Sequence, residues 1–204
     1  MKKELFLLIL AGIMLSISAC VTKNETNEIV DTSGIALLII DIQNDYFEGG
    51  SHTLYEPIEA LKNAEEILSV FRQNNAFTVI HVQHNSGIGS GFMEEGTWGA
   101  QIHDNLTPLT NEVVITKRKI SSFEDTNLEE VLRERNIYRL VIIGMQTNVC
   151  VEATVKDGKA LGFQIFVLDD ACAALSSDIH NDAIERMRGD YAFIVNTSEY
   201  LQGI

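Results

Sequence analysis

The sequence predicts an α/β fold, a parallel β-sheet covered by helices on both faces. Three observations lead there. Short apolar runs alternate with amphipathic segments at helical spacing, and most links between them are short. Several runs are apolar throughout, as in strands buried on both sides. Apart from its N-terminal segment the chain, 34–204 of 204 residues, is long enough for one domain with a sizeable core, and 46% hydrophobic residues with only two prolines suit such a core.

Taken in order, residues 1–19 read as an export signal rather than part of the fold. Lys2 and Lys3 form a basic start, residues 5–15 an apolar core and Ser18-Ala19 a small-residue cleavage site. That core is shorter than the roughly 20 residues a spanning helix needs. Residues 20–33 are polar and aperiodic, and read as a tether. The first strand is 35–40 (IALLII). A helix follows over 57–71, with Pro57 at its start and Ile58, Leu61, Ala64, Ile67, Leu68 and Phe71 at helical spacing. Strands are predicted at 77–82 and 113–116, then a helix at 127–134 capped by Thr126 or Asp125. The fourth strand is 140–143, ended by Gly144. A helix over 149–161, a strand at 164–168, a helix from Ser177 to about Arg188 and a strand at 192–195 complete the pattern.

One link breaks the rhythm. Residues 83–112 hold glycines at 87, 89, 91, 96 and 99 and the single tryptophan, Trp98. Loops of this length are commonly lids or binding loops. Trp98 reads equally as a pocket wall or as a plug that shields the core from solvent.

Net charge is −14, and removing Lys2, Lys3 and Glu4 leaves the rest more acidic still. Such a surface repels phosphate backbones and argues against nucleic-acid binding.

Ligands of open α/β sheets bind beyond the carboxyl ends of the strands. Here the first strand ends in Asp41, the third reaches Lys117 and Lys119, and the fourth leads into the turn that carries Cys150. A thiol at a strand-to-helix junction meets unpaired N–H groups and the positive end of the helix dipole, which should lower its pKa. Carboxylate, ammonium and thiol together suffice for acyl transfer: the carboxylate takes the thiol proton and the thiolate attacks a carbonyl. Separately, Asp41 reads as a turn cap, Lys117 as a solvated charge and Cys150 as a small buried residue. A Cys150–Cys172 disulfide is a structural alternative that an exported compartment would permit.

Three ordered blocks carry a resemblance: Asp41-Ile-Gln-Asn-Asp-Tyr-Phe, Thr116-Lys-Arg-Lys-Ile-Ser-Ser-Phe, and Gly144-Met-Gln-Thr-Asn-Val-Cys-Val. They look like the signature blocks of the isochorismatase-like cysteine hydrolases, a family that includes nicotinamidases, N-carbamoylsarcosine amidases and ureidoacrylate hydrolases. The resemblance runs from about Ile35 to Val195. It implies a Rossmann-like fold with Asp41, Lys117 and Cys150 as a catalytic triad. Lys117 is preferred to Lys119 because the family lysine precedes the block's phenylalanine, here Phe123, by six residues. The resemblance also implies a cis peptide at Met145–Gln146 and an oxyanion hole from the backbone N–H groups of Gln146 and Cys150.

Where relatives hold a metal, this chain offers His81, His84 and His103 without an Asp-x-His pair. Residues i and i+3 on an extended segment face opposite ways, so no metal or other cofactor is expected. His84 is read instead as a pocket hydrogen-bonding group, with Trp98, Phe123 and Asn148 as further substrate-binding candidates; His52 and His180 are read as surface residues. The expected function is hydrolysis of a C–N bond (amide, carbamoyl or ureido) in a small molecule through a thioester. The alternatives are a vinyl-ether hydrolase and a non-catalytic ligand-binding lipoprotein on the same fold. Residues 15–20, Leu-Ser-Ile-Ser-Ala-Cys, resemble the bacterial lipoprotein lipobox, which implies acylation of Cys20 and a lipid-anchored protein of the cell envelope, outside the cytoplasm. The hydrolase resemblance implies assembly of several identical copies.

Overall fold

The computed structural model describes residues 34–203. The export signal, Cys20 acylation and tether expected from the sequence therefore lie outside the described residues. Six strands form one sheet in the order β3-β2-β1-β4-β5-β6, and every neighbouring pair is parallel. The strands are β1 Ile35–Ile40, β2 Thr78–His84, β3 Val113–Lys117, β4 Arg139–Met145, β5 Gln164–Ala173 and β6 Phe193–Val195. The helices are α1 Pro57–Gln73, α2 Leu128–Glu134, α3 Glu152–Ala160, α4 Ser177–Met187 and α5 Thr197–Leu201.

All six residues of β1 are buried, because alternate side chains feed two cores. Ile35, Leu37 and Ile39 join Leu61, Ile67, Leu68 and Phe71 of α1 and Tyr200 of α5 on one face. Ala36, Leu38 and Ile40 join Leu132 of α2, Val155 of α3 and Ile184 of α4 on the other. A strand buried on both sides cannot show polar alternation, which is why it reads as an unbroken apolar run.

Several expectations need correction. The segment predicted as helix from Val149 begins instead with a wide turn of π type, Thr147–Val151, and α3 starts only at Glu152. β5 continues through Asp169 and Asp170 to Ala173, its register shifting between Ile142 and Gly144 of β4. The acidic pair hid this extension, since it interrupts the apolar run. α5 was not foreseen; it is five residues long and starts with a capping box between Asn196 and Glu199. The helix expected from Asn127 starts at Leu128, and Thr126 Oγ1 accepts a hydrogen bond from Leu128 N at 3.2 Å. Cys150 and Cys172 are both buried and both free. The disulfide alternative fails because Cys172 lies beside Gly144 in the sheet, six residues before Cys150.

Candidate active site

Connections from β1 lead one way to β2 and β3 and the other way to β4 and beyond, which opens a crevice at the carboxyl ends of β1 and β4. Asp41 is the first residue past β1. Its backbone has a positive φ of 52° and its N–H donates to Val82 O at 3.0 Å, which turns the carboxylate into the crevice. Lys117 ends β3, two strands away, and its long stem spans β2. Its Nζ lies 2.7 Å from Asp41 Oδ2 and 3.3 Å from Cys150 Sγ. The carbonyl oxygens of Lys119 and Ile120 accept from the same ammonium at 3.0 Å each. Side chains of Asp41 and Lys117 are wholly shielded from solvent, and Cys150 is 7% exposed. Lys119, by contrast, is half exposed and pairs loosely with Glu124 and Asp125. The geometry thus selects the same lysine that the family spacing selects.

The electrostatics revise one expectation. The Cys150 thiol is not lowered but pushed up to about 12, chiefly by burial and then by the negative charge of Asp41, with Lys117 opposing. Burial also raises Asp41 above its ordinary value, against the pull of Lys117. Burial works against the charge of Lys117, but Asp41 and Cys150 outweigh it and the net direction is up. The thiol is thus held neutral at rest, beside the Asp41–Lys117 pair at 2.7 Å. The dipole argument failed because the thiol is dry and shares its ammonium with a carboxylate. Among the described residues neither Asp41 oxygen has a hydrogen-bond partner of good geometry, so the ion pair with Lys117 leaves lone pairs free to take a proton.

The turn that carries Cys150 is pinned by side chains. Thr154 Oγ1 donates to Cys150 O at 2.7 Å and accepts from Ser122 N at 3.0 Å. The peptide bond Met145–Gln146 is cis, as the resemblance implies. Gln146 O accepts from Val149 N at 3.1 Å and from Val151 N at 3.2 Å.

The four substrate-binding candidates separate. His84 joins the cluster, with Nδ1 3.3 Å from Lys117 Nζ, and burial followed by the Lys117 charge keeps it below its ordinary pKa. Asn148 is half-buried two residues before Cys150, and its Oδ1 lacks a hydrogen-bond partner. Phe123 stacks on Phe163 with centroids 5.9 Å apart and lies against Gly158, so it serves the core between β5 and α3. Trp98 is 52% exposed, which rules out a plug that shields the core, and its ring lies near Gly49. Of the other histidines, His81 bonds Glu112 at 2.9 Å. His52 is exposed, as expected, whereas His180 is half-buried with Nδ1 2.9 Å from Thr147 Oγ1. The surface reading of His180 failed because α4 packs against the turn after β4.

Residues after Asp41 have a role the sequence reading missed, for they anchor the long loop. Gln43 Nε2 donates to His84 O at 2.8 Å and to Ala100 O at 2.7 Å, while its Oε1 accepts from His84 N at 2.7 Å. The Asp45 carboxylate accepts from Met93 N and Ser51 N. Gly99 is required there, since a Cβ would fall 2.3 Å from Asp45 Oδ1. The loop is thereby tied to the segment that also carries the carboxylate. Tyr46, on the same segment, is buried and raised above its ordinary pKa by that burial, with Cys150 and Asp41 adding to the effect and a hydrogen bond to Gln146 opposing it. The signal was available: a run of short polar side chains directly after a buried strand.

Comparison with known proteins gives the chain a family. Residues 35–199 match the isochorismatase domain model. The chain is 39% identical over 160 residues to the uncharacterized isochorismatase-family protein YddQ of Bacillus subtilis, covering 78% of this chain and 88% of that one. It is 33% identical over 166 residues to the ureidoacrylate amidohydrolase RutB of Cronobacter turicensis, covering 79% and 65%. The crystal structure of N-carbamoylsarcosine amidase from Thermoplasma acidophilum superposes with a TM-score of 0.72 at 25% identity, covering 80% and 96%.

Proposed function

The chain belongs to the isochorismatase family and is a hydrolase of that family, and from that premise we propose that it cleaves a C–N bond of a small amide, carbamoyl or ureido compound through an S-acyl intermediate on Cys150, a thioester from an amide and a thiocarbamate from a carbamoyl or ureido group. The observation that carries this reading is one buried ammonium, Lys117 Nζ, 2.7 Å from a carboxylate and 3.3 Å from a thiol. Asp41 takes the thiol proton as Sγ attacks the carbonyl carbon. Lys117 holds the negative charge that passes from carboxylate to sulfur. The N–H groups of Gln146 and Cys150 receive the oxyanion, an effect worth roughly 3–4 kcal/mol per donor in comparable enzymes. Asp41 then protonates the departing nitrogen, and the C–N bond breaks. A water molecule, deprotonated by Asp41, attacks this S-acyl intermediate and releases the acid, and sulfur recovers its proton.

Vinyl-ether cleavage does not require a thiol, and it would leave this paired cysteine without a task. Two relatives, a ureidoacrylate amidohydrolase and an N-carbamoylsarcosine amidase, are named for C–N cleavage, while a secreted isochorismatase effector, 37% identical over 141 residues, is named for the vinyl-ether reaction; the paired thiol is what favours the C–N reading. The loop held by Gln43 and Asp45 is proposed to sort substrates, with His84 and Asn148 at the cluster. Acylation of Cys20 would hold the enzyme on a membrane outside the cytoplasm; loss of membrane association in Cys20→Ala tests it, and an unchanged distribution rejects it. Self-association is tested by light scattering. The function itself is tested by ammonia release from the purified full-length chain over primary amides, ureido acids and N-carbamoyl amino acids. At least one compound should be turned over by the wild type and not by Cys150→Ala; release that persists in Cys150→Ala overturns the mechanism.

A further inference from the structure

His180 has no part in the chemistry above, yet it touches the turn that delivers the nucleophile. Thr147 opens that turn, follows Gln146 directly and is fully buried. A buried hydroxyl needs a partner, and among the described residues the one it has is His180 Nδ1 at 2.9 Å. The imidazole comes from the first turn of α4, which is itself fixed: Ser176 Oγ accepts from Ile179 N at 3.2 Å, and His180 N donates to Ser176 O at 3.0 Å. His180 also lines a cavity of about 260 Å³ with Tyr55, Asp170 and Cys172, so its packing is incomplete and the hydrogen bond to Thr147 helps to orient the ring. Burial keeps His180 below its ordinary pKa despite the nearby Asp169. The neutral ring can still bond in either tautomer, because a hydroxyl both donates and accepts.

We infer that His180 is a positioning residue for the nucleophile turn. Thr154 fixes the turn at the Cys150 carbonyl, and His180 fixes it at Thr147, beside the Gln146 N–H assigned to the oxyanion. Losing one anchor lets the thiol and the oxyanion donors drift relative to each other. The substrate itself is not touched, so its binding should be little changed. This inference rests on the hydrolytic role proposed for Cys150.

The experiment compares wild type, His180→Ala, His180→Asn and His180→Gln in the full-length chain. Asn places an amide near the position of Nδ1 and should keep the bond to Thr147; Gln places it too far out. On the compound that the wild type turns over, His180→Ala and His180→Gln should lose kcat by about ten- to hundred-fold with KM within about twofold. His180→Asn should recover to within about threefold of wild type. A wild-type kcat in His180→Ala, an equal change in KM, or an Asn variant no better than Gln overturns the inference. Amide hydrogen exchange gives a readout that needs no substrate. Peptides covering 146–151 should exchange faster in the Ala and Gln variants and at the wild-type rate in Asn, while β1 peptides stay unchanged. If the wild type hydrolyses nothing, the proposed function fails, and the exchange pattern still decides whether His180 holds the turn. Should His180→Ala not fold, the comparison of Asn with Gln carries the test.

Discussion

Gly144→Ala is the perturbation that best joins fold to site. Gly144 ends the apolar part of β4 with φ at +146°, a conformation open essentially to glycine alone, and it pairs with Ile40, the residue before Asp41. A Cβ there would fall 2.2 Å from Ile40 O and 2.8 Å from Ile40 Cβ. Ordinary carbon contacts are no closer than about 3.5 Å, so β1 must retreat from β4 by about 1 Å at its catalytic end. The backbone conformation costs about 1–3 kcal/mol, and overpacking against a strand that has no free space costs a similar amount. A loss of about 4 kcal/mol is therefore predicted by denaturant unfolding. Because Asp41 moves with Ile40, activity should fall by about a hundred-fold even under conditions where the variant stays folded. A variant within about 1 kcal/mol of wild type and within about threefold of its kcat would refute the reasoning.

Four further predictions concern charge. Lys117→Met removes the ammonium shared by carboxylate and thiol; turnover should fall by at least about a hundred-fold, and unfolding should show a loss of about 3–5 kcal/mol from the stranded carboxylate unless Asp41 takes up a proton. The base form of Asp41 is lost as pH falls through a value raised above the ordinary 3.8, so the acid limb of kcat/KM should lie above that value. Alkylation of Cys150 by iodoacetamide should keep rising with pH toward about 12, where an unperturbed thiol would level off near 9. Glu112, which bonds Arg72, His81 and Leu109 N, is held down to about 2 from 4.5 by those hydrogen bonds against the cost of burial. A depressed carboxylate stabilises above its unfolded pKa, so Glu112→Gln should cost about 1–3 kcal/mol at pH 7, with the difference from wild type closing as pH falls from 4.5 toward 2.

Much of this molecule was legible in its sequence, for identifiable reasons. Strands buried on both faces leave unbroken apolar runs, so β1 and β4 stood out. Asp41, Lys117 and Cys150, which the fold brings together, could be grouped in the sequence because each lies at or just beyond a strand end, where an α/β sheet collects its chemistry, although the choice of Lys117 over Lys119 came from the family resemblance. The rest depended on packing that no local pattern records. Asp169 and Asp170 continue β5 because the Asp170 carboxylate accepts from Thr197 N at 2.9 Å, a residue far along the chain. Phe123 looked like a pocket residue from its place in a signature block, but Phe163 claims it. The thiol's proton affinity depends on burial and on two charges from other strands, and the position of Cys150 beside a helix could not reveal either. His180 became visible only when α4 was seen against the Thr147 turn.

The claim that Cys150 is an acylated nucleophile is tested most directly by quenching turnover with acid and weighing the protein. Wild type should carry a mass increase equal to the substrate's acyl group on the peptide containing Cys150, and Cys150→Ala should carry none and release no ammonia. Steady turnover in Cys150→Ala would contradict the account.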